Sequence, residues 1–234
     1  MRDPKYQFIL DIPDPNQPDP LVDNVSSWLG GVAPISVLDF AGVPADVADV
    51  AIGVILKLLF DLSTQSTSTD GVGRGRPVLV ALEEAHRYLS EAPSTGLARA
   101  AVNRIAREGR KYGVGLCLVT QRPSELPETA LSQCGTIISL RLTNSADQAT
   151  VRSALPDAVA ALASVLPSLR TGEALISGEA IALPTRTALR RPDPEPRAAD
   201  ASLDGWRMSP AATPIVDAVV ERWRNSQTSQ EMNR

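Results

Sequence analysis

The sequence predicts an α/β fold: a mostly parallel sheet with helices on both faces. Three observations lead there. Ile35 to Phe40, Val78 to Leu82, Val114 to Val119 and Thr136 to Leu142 are runs dominated by β-branched residues and leucine, too short for helices. Segments with helical periodicity or helix-capping residues alternate with them. The runs are apolar at successive positions rather than at every second one, the pattern of strands covered on both sides. The 234 residues, 43 % apolar and 21 % charged, suffice for a buried core.

Prolines at 4, 13, 15, 18 and 20 make the opening irregular, with a short amphipathic helix expected over Leu21 to Leu29 before Gly30-Gly31. Pro44 suits a first helical position, and Asp46 and Asp49 suit the positive end of a helix dipole. Val47, Val50, Val54, Leu58 and Leu62 recur at helical spacing, so one long helix is expected from Pro44 to Asp61, packed on the sheet. Residues 63–76 read as a mobile Ser/Thr/Gly linker. Ser94 or Thr95 is a candidate cap for a helix reaching Glu108 and ending at Gly109, and Pro127 to Gln133 for a short helix. Asn144 or Ser145 caps another, and Asp157 to Leu166 is one more. Glu173 to Ser177 and Ala180 to Leu189 flank a Gly-Glu turn as a hairpin. Residues 191–205 are a linker, and Pro214 to Arg224 is a tail helix with Ile215, Val219 and Trp223 on one stripe. The expected organisation is an irregular segment with a short helix (1–34), a core (35–190), and a linker plus C-terminal helix (191–234).

Net charge is −4, so the surface as a whole does not advertise nucleic acid; a local basic stripe would have to bind it. Cys117 and Cys134 lie in apolar runs and read as buried free thiols. The N-terminus lacks an apolar signal core, and the longest apolar stretch, Val47 to Leu62, is interrupted by Asp49, Lys57 and Asp61. A cytoplasmic protein without a membrane span is expected.

Ligands of parallel sheets sit beyond the carboxyl ends of the strands. One strand here ends in Glu83-Glu84, an arrangement in which one carboxylate holds Mg²⁺ through water and the next polarises an attacking water; alternatively the pair opens a solvated helix. The next strand ends in Thr120-Gln121-Arg122-Pro123. A glutamine amide can donate to a phosphate oxygen while accepting from water, the behaviour of a sensor, although polar residues also end strands as plain turns. Arg104, Arg107, Arg110 and Lys111 surround a helix stop, either as a solvated face or as a source of a forked cation for phosphate. His86, the single histidine, stands two residues past an acid, where it could relay nucleotide state, but it reads first as a capping or packing residue; without a second histidine or a suitable cysteine spacing, zinc has little support.

Together, Glu83-Glu84-Ala85-His86, then Arg107 through Leu116, then Thr120 through Ser124, resemble the HerA family of DNA-translocating ATPases. The resemblance extends upstream through Ile35 to Pro44, and downstream through Leu131 to Cys134, Arg141 to Asn144 with Asp147, and Gly172 to Ala174, covering roughly residues 3–190. It implies a RecA-like P-loop NTPase core, ATP and Mg²⁺ as cofactors, a homo-oligomeric ring (a hexamer), double-stranded DNA as partner, and a possible nuclease or other effector. By residue, it implies Glu83 as the metal-side acid, Glu84 as catalytic base, Gln121 as sensor, and Arg110, with Arg107 second, as a finger acting on a neighbouring subunit. Glu83 stands where many such families place Asp.

The phosphate-gripping Gly-x-x-x-x-Gly-Lys-[Ser/Thr] loop is absent: the residues preceding Lys5, Lys57 and Lys111 are Pro4, Leu56 and Arg110. In this family that loop follows a central strand, between the strand ending near Gln121 and the one ending near Arg141. The expectation is therefore the C-terminal portion of a ring motor, not self-sufficient for hydrolysis. The alternative is a non-hydrolysing partner subunit that completes another subunit's nucleotide site.

Overall fold

The computed structural model describes residues 34–70, 72–89, 96–156 and 159–193, together with Val25, Leu29, Asp217, Val220 and Glu221. The chain divides into two compact units, Met1–Arg190 and Arg191–Arg234. Of the second unit, Asp217, Val220 and Glu221 are helical. The rest of the expected tail helix, most of the Leu21–Leu29 helix, and the candidate caps Ser94 and Thr95 lie outside the described residues.

The first unit runs α1 (Ala45–Gln65), β1 (Val78–Leu82), α2 (His86–Leu89), α3 (Leu97–Glu108), a 3₁₀ turn (Gly109–Tyr112) and β2 (Val114–Leu118). It continues through a 3₁₀ turn (Pro123–Glu125), α4 (Glu128–Ser132), β3 (Thr136–Ser139), α5 (Ser145–Ala154), a 3₁₀ segment (Ala160–Ser168), β4 (Glu173–Gly178) and β5 (Thr185–Ala188). The fold is α/β with a small parallel sheet, but the sheet is divided. β1 and β2 pair in parallel, with Val78 opposite Val114 and Leu82 opposite Leu118. β3, β4 and β5 form a separate antiparallel sheet in that order, and β2 and β3 do not pair.

The expected covering of both faces is corrected. Val80, Leu82, Val114, Leu116 and Leu118 point toward a core built with Ile52, Leu56 and Phe60 of α1 and Ala98, Val102 and Ile105 of α3. On the opposite face Leu79 is 70 % exposed, beside Ala81, Gly115, Cys117 and Val119. All described helices packed on this pair lie on one side, so the second apolar face has no cover among the described residues. Cys117 is accordingly exposed rather than buried, and Cys134 is half-buried; both are free thiols. Burial pushes the Cys134 thiol above its ordinary value, with a smaller contribution from Cys117.

Ile35 to Phe40 forms no strand: Ile35 is 77 % and Val37 84 % exposed. Apolar β-branched residues confer propensity, but a strand exists only as part of a ladder, and none of the described strands pairs with this segment. Thr136 to Leu142 shortens to β3 and runs antiparallel to β4, not within a parallel sheet.

The long helix forms, with Pro44 as its cap residue, but its deep face is Ala48, Ile52, Leu56 and Phe60. Val50, Val54 and Leu58 of the expected stripe are only half-buried, and Leu62 is exposed. The helix is apolar nearly all round, so periodicity alone selects no single face. Gly53 settles the geometry: a Cβ there would come within 2.6 Å of Leu97 Cβ and 2.7 Å of its backbone, so only glycine lets α3 approach this closely. Asp49, buried in α1, accepts hydrogen bonds from the Gly96 and Ala98 N–H groups at 3.0 and 3.1 Å and caps α3 from a neighbouring helix.

The expected linker is instead a folded turn. Ser66 Oγ–H donates to the Ser63 carbonyl at 2.8 Å, Arg74 N–H donates to Ser66 Oγ at 3.2 Å, and the Thr67 hydroxyl donates to Asp70 at 3.0 Å. Asn144 caps α5, accepting from the Ala146 and Asp147 N–H groups at 2.8 and 3.3 Å. Where the Asp157–Leu166 helix was expected, the chain forms the 3₁₀ segment, and residues 157–158 are not described. The hairpin is present as β4–β5, its second strand beginning after Pro184. A second core under β3–β4 contains Val151, Leu155, Leu166, Leu169 and Leu175. No helix among the described residues is long and apolar enough to cross a membrane.

Candidate active site

Pairing between β1 and β2 continues one step past the strands. Val119 N–H donates to the Leu82 carbonyl at 3.0 Å, and Ala85 N–H donates to the Val119 carbonyl at 2.9 Å. These two bonds hold the chain leaving β1 against the chain leaving β2 and bring Glu84 to Gln121. The Gln121 side-chain amide donates to Glu84 Oε1 at 3.3 Å and Oε2 at 3.4 Å. Glu84 sits in the left-handed region at φ 49°, as the only non-glycine residue with positive φ among the described residues. A carboxylate side chain held there costs about 1–2 kcal/mol, so tertiary structure must enforce the turn. It does so through the Ala85 bond and through Arg87 N–H donating to the Glu84 carbonyl at 2.8 Å.

Two residues to which the sequence assigned no catalytic role complete the rim. His86 Nδ1 lies 3.0 Å from Thr120 Oγ1 and 3.4 Å from Glu84 Oε2. Thr120 Oγ1 also accepts from the Arg122 N–H at 3.0 Å. Farther along, Asp147 of α5 accepts from the Ser124 N–H at 3.1 Å and hydroxyl at 2.7 Å, anchoring the loop that carries Gln121. Arg122 is paired with Glu125 at 2.7 Å. Sequence spacing shows that Thr120 adjoins Gln121 and His86 follows Glu84, but only the β1–β2 register shows that these pairs face one another.

The remaining expected residues divide. Glu83 is exposed beside Glu84 on the same turn. Arg107, in the last turn of α3, and Arg110, in the 3₁₀ turn that precedes β2, are both exposed and lie at the opposite end of the strand from Gln121. Five strand residues at about 3.3 Å each place roughly 17 Å between them and the acidic rim. Within one chain they do not join Glu84 and Gln121. They border open clefts of about 700 and 1250 Å³, neither lined by Glu83, Glu84 or Gln121. Beside them, Tyr112 packs edge-on against Phe60 at 5.5 Å, with Arg74 and Lys111 each 5.2 Å from its ring. Among the described residues no group of three or more His, Cys, Asp or Glu side chains could hold a metal ion by itself.

This is an α/β domain whose polar groups converge at the carboxyl rim of a parallel strand pair, the ligand-facing end of such sheets. The model for the C-terminal region of HerA-like helicases matches residues 53–185. The chain belongs to that family. It is 36 % identical over 151 residues to the DNA double-strand break repair helicase HerA of Sulfolobus acidocaldarius, covering 64 % of this chain and 30 % of that protein. It is 46 % identical over 108 residues to the helicase of the same name from Pyrococcus furiosus, covering 46 % of this chain and 19 % of that one. The chain thus spans under a third of the length of these relatives. The DNA-packaging ATPase B204 from Sulfolobus turreted icosahedral virus overlaps 58 % of this chain and 62 % of its own, at 15 % identity and a TM-score of 0.45, too slight a likeness to define the fold.

Proposed function

We propose that this chain supplies the acidic and sensor edge of an ATP-driven translocase of double-stranded DNA, working in a ring whose phosphate-binding loop lies outside this sequence. The observation that carries the reading is the hydrogen bond between the Gln121 amide and the Glu84 carboxylate at the carboxyl rim of β1–β2. Membership of the HerA-like family, and relatives named as DNA repair helicases, support the substrate.

The residues present fit one half of a nucleotide site. Mg²⁺, when bound with ATP, would neutralise charge developing on the phosphates. Glu83 would hold it through water. Glu84 would accept a proton from the attacking water, its carboxylate already oriented by Gln121, and Gln121 would exchange that contact for one to phosphate. For the other half the sequence offers no candidate: no lysine follows a glycine. Three features support completion by a strand–loop–helix from elsewhere. β2 and β3 do not pair, one apolar face of β1–β2 has no cover among the described residues, and Ile138 on β3 is 61 % exposed. A central strand of about five residues would add ladder bonds worth roughly 1 kcal/mol each, comparable in sum to the stability of a domain.

Arg110, with Arg107 second, would act on a neighbour's nucleotide. A head-to-tail ring interface joins two different faces of the subunit, so a cation at the end opposite its own acidic rim suits action in trans. Equilibrium dialysis of labelled ATP with Mg²⁺ against the pure chain tests the division of labour. Binding weaker than micromolar is expected; micromolar binding by the chain alone would refute it.

A further inference from the structure

We propose that His86 is a positioning residue whose Nδ1–H ties Glu84 to Thr120, so that the carboxylate and the loop carrying Gln121 are held as one hydrogen-bonded unit. This rests on reading Glu84 as the proton acceptor.

The side chain of His86 is 12 % exposed, whereas that of Glu84 is 45 % exposed. An exposed carboxylate on a single residue of left-handed turn has several rotamers open to it. Groups from two chain segments flank it here: the Gln121 amide donates from the β2 end, and the His86 ring lies 3.4 Å away at the start of α2. The ring is fixed in turn. Its Nδ1 lies 3.0 Å from Thr120 Oγ1, and that oxygen is anchored by the Arg122 N–H at 3.0 Å. The chain of contacts therefore runs from the Glu84 carboxylate through the imidazole and the threonine hydroxyl to the backbone one residue beyond Gln121.

The geometry also selects a tautomer. A bare Nδ1 would accept from the Thr120 hydroxyl but turn its lone pair toward the Glu84 carboxylate oxygen at 3.4 Å, whereas Nδ1–H presents a proton to that oxygen as well as to Thr120 Oγ1. The neutral ring is thus held as Nδ1–H, the form that free histidine populates less. Packing alone would leave the tautomer to solvent. When Gln121 turns toward another acceptor, His86 keeps the carboxylate from swinging away.

His86 is the single histidine of the chain, so its ring nitrogens need no assignment strategy. Long-range ¹H–¹⁵N correlation on the full chain at pH about 8 reads the tautomer directly. The expected result is a protonated Nδ1 and a bare Nε2, shifting toward the reverse in the Glu84→Ala/Thr120→Val double variant. The side-chain amide signals of Gln121, identified by their loss in Gln121→Glu, should move in His86→Leu. They should stay in His86→Asn, whose amide can replace the Nδ1 donor. A protonated Nε2 in the unaltered chain overturns the proposal without needing any variant to fold; so do Gln121 signals indifferent to His86→Leu. No nucleotide takes part, so this outcome and the fate of the hydrolytic reading are decided separately.

Discussion

Asp147→Ala should loosen the loop carrying Gln121 while leaving Gln121 itself unaltered. Asp147 is buried, and its Oδ1 accepts both the N–H and the hydroxyl of Ser124, at 3.1 and 2.7 Å. Hydrogen bonds to a charged group contribute about 1.5–3 kcal/mol each, and an acid in the first turn of a helix adds about 0.3–1 kcal/mol. Ser124 is exposed, so water recovers part of what is lost, and the lower bounds apply. The expected cost is about 3 kcal/mol, against about 1.5 kcal/mol for Ser124→Ala, which removes only the hydroxyl bond. Urea unfolding followed by far-ultraviolet circular dichroism, with a slope of about 2 kcal/mol/M, converts this to a midpoint lowered by about 1.5 M. The two substitutions should be strongly non-additive, because they share one bond. Additive costs, or a midpoint unmoved by Asp147→Ala, would show that the anchor does not exist and that the loop is held some other way.

Gly53→Ala should destabilise the α1–α3 contact by about 1–3 kcal/mol, read from the same unfolding curves, because the new methyl meets Leu97 backbone atoms that cannot rotate away. Asp61 lies below its ordinary value of 3.8, chiefly through its hydrogen bond from Lys57, with Arg104 assisting. A lowered folded-state value means that its stabilisation is complete above about pH 4 and fades as pH falls through that value, so Asp61→Asn should flatten the stability curve only below about pH 4. A variant curve parallel to the parent's at every pH would contradict this. Iodoacetamide under native conditions should modify exposed Cys117 well before Cys134, whose thiol burial holds in the protonated form; peptide mass mapping reads the order, and Cys134 reacting first would contradict the open sheet face.

The parts of this molecule legible in the sequence are those decided locally. Asn144 caps its helix because an amide oxygen two and three residues before free N–H groups needs no tertiary help. The acid pair falls at the end of β1, and Gln121 just past β2, because the apolar runs stop there. What depends on a partner was not legible. Ile35 to Phe40 has strand composition but no ladder, and Thr136 to Ser139 takes the antiparallel neighbour that the chain provides. The deep face of α1 is set by a close approach at Gly53, invisible to a periodicity that finds apolar residues nearly all round. His86 shows why candidate sites are under-read. Two residues after an acid it reads first as a cap or packing residue, and its contact with Thr120 comes from a register established by strand pairing.

The most direct test of the account is phosphate release from Mg-ATP by this chain assembled with the portion that carries its phosphate loop, comparing Glu84 with Glu84→Gln. If Glu84 accepts the proton of the attacking water, the substitution should lower turnover about 10²–10⁴-fold while nucleotide still binds. Turnover within a few-fold of the parent would mean that the carboxylate at the β1 rim is not the base, and the hydrolytic reading of the site would fall with it.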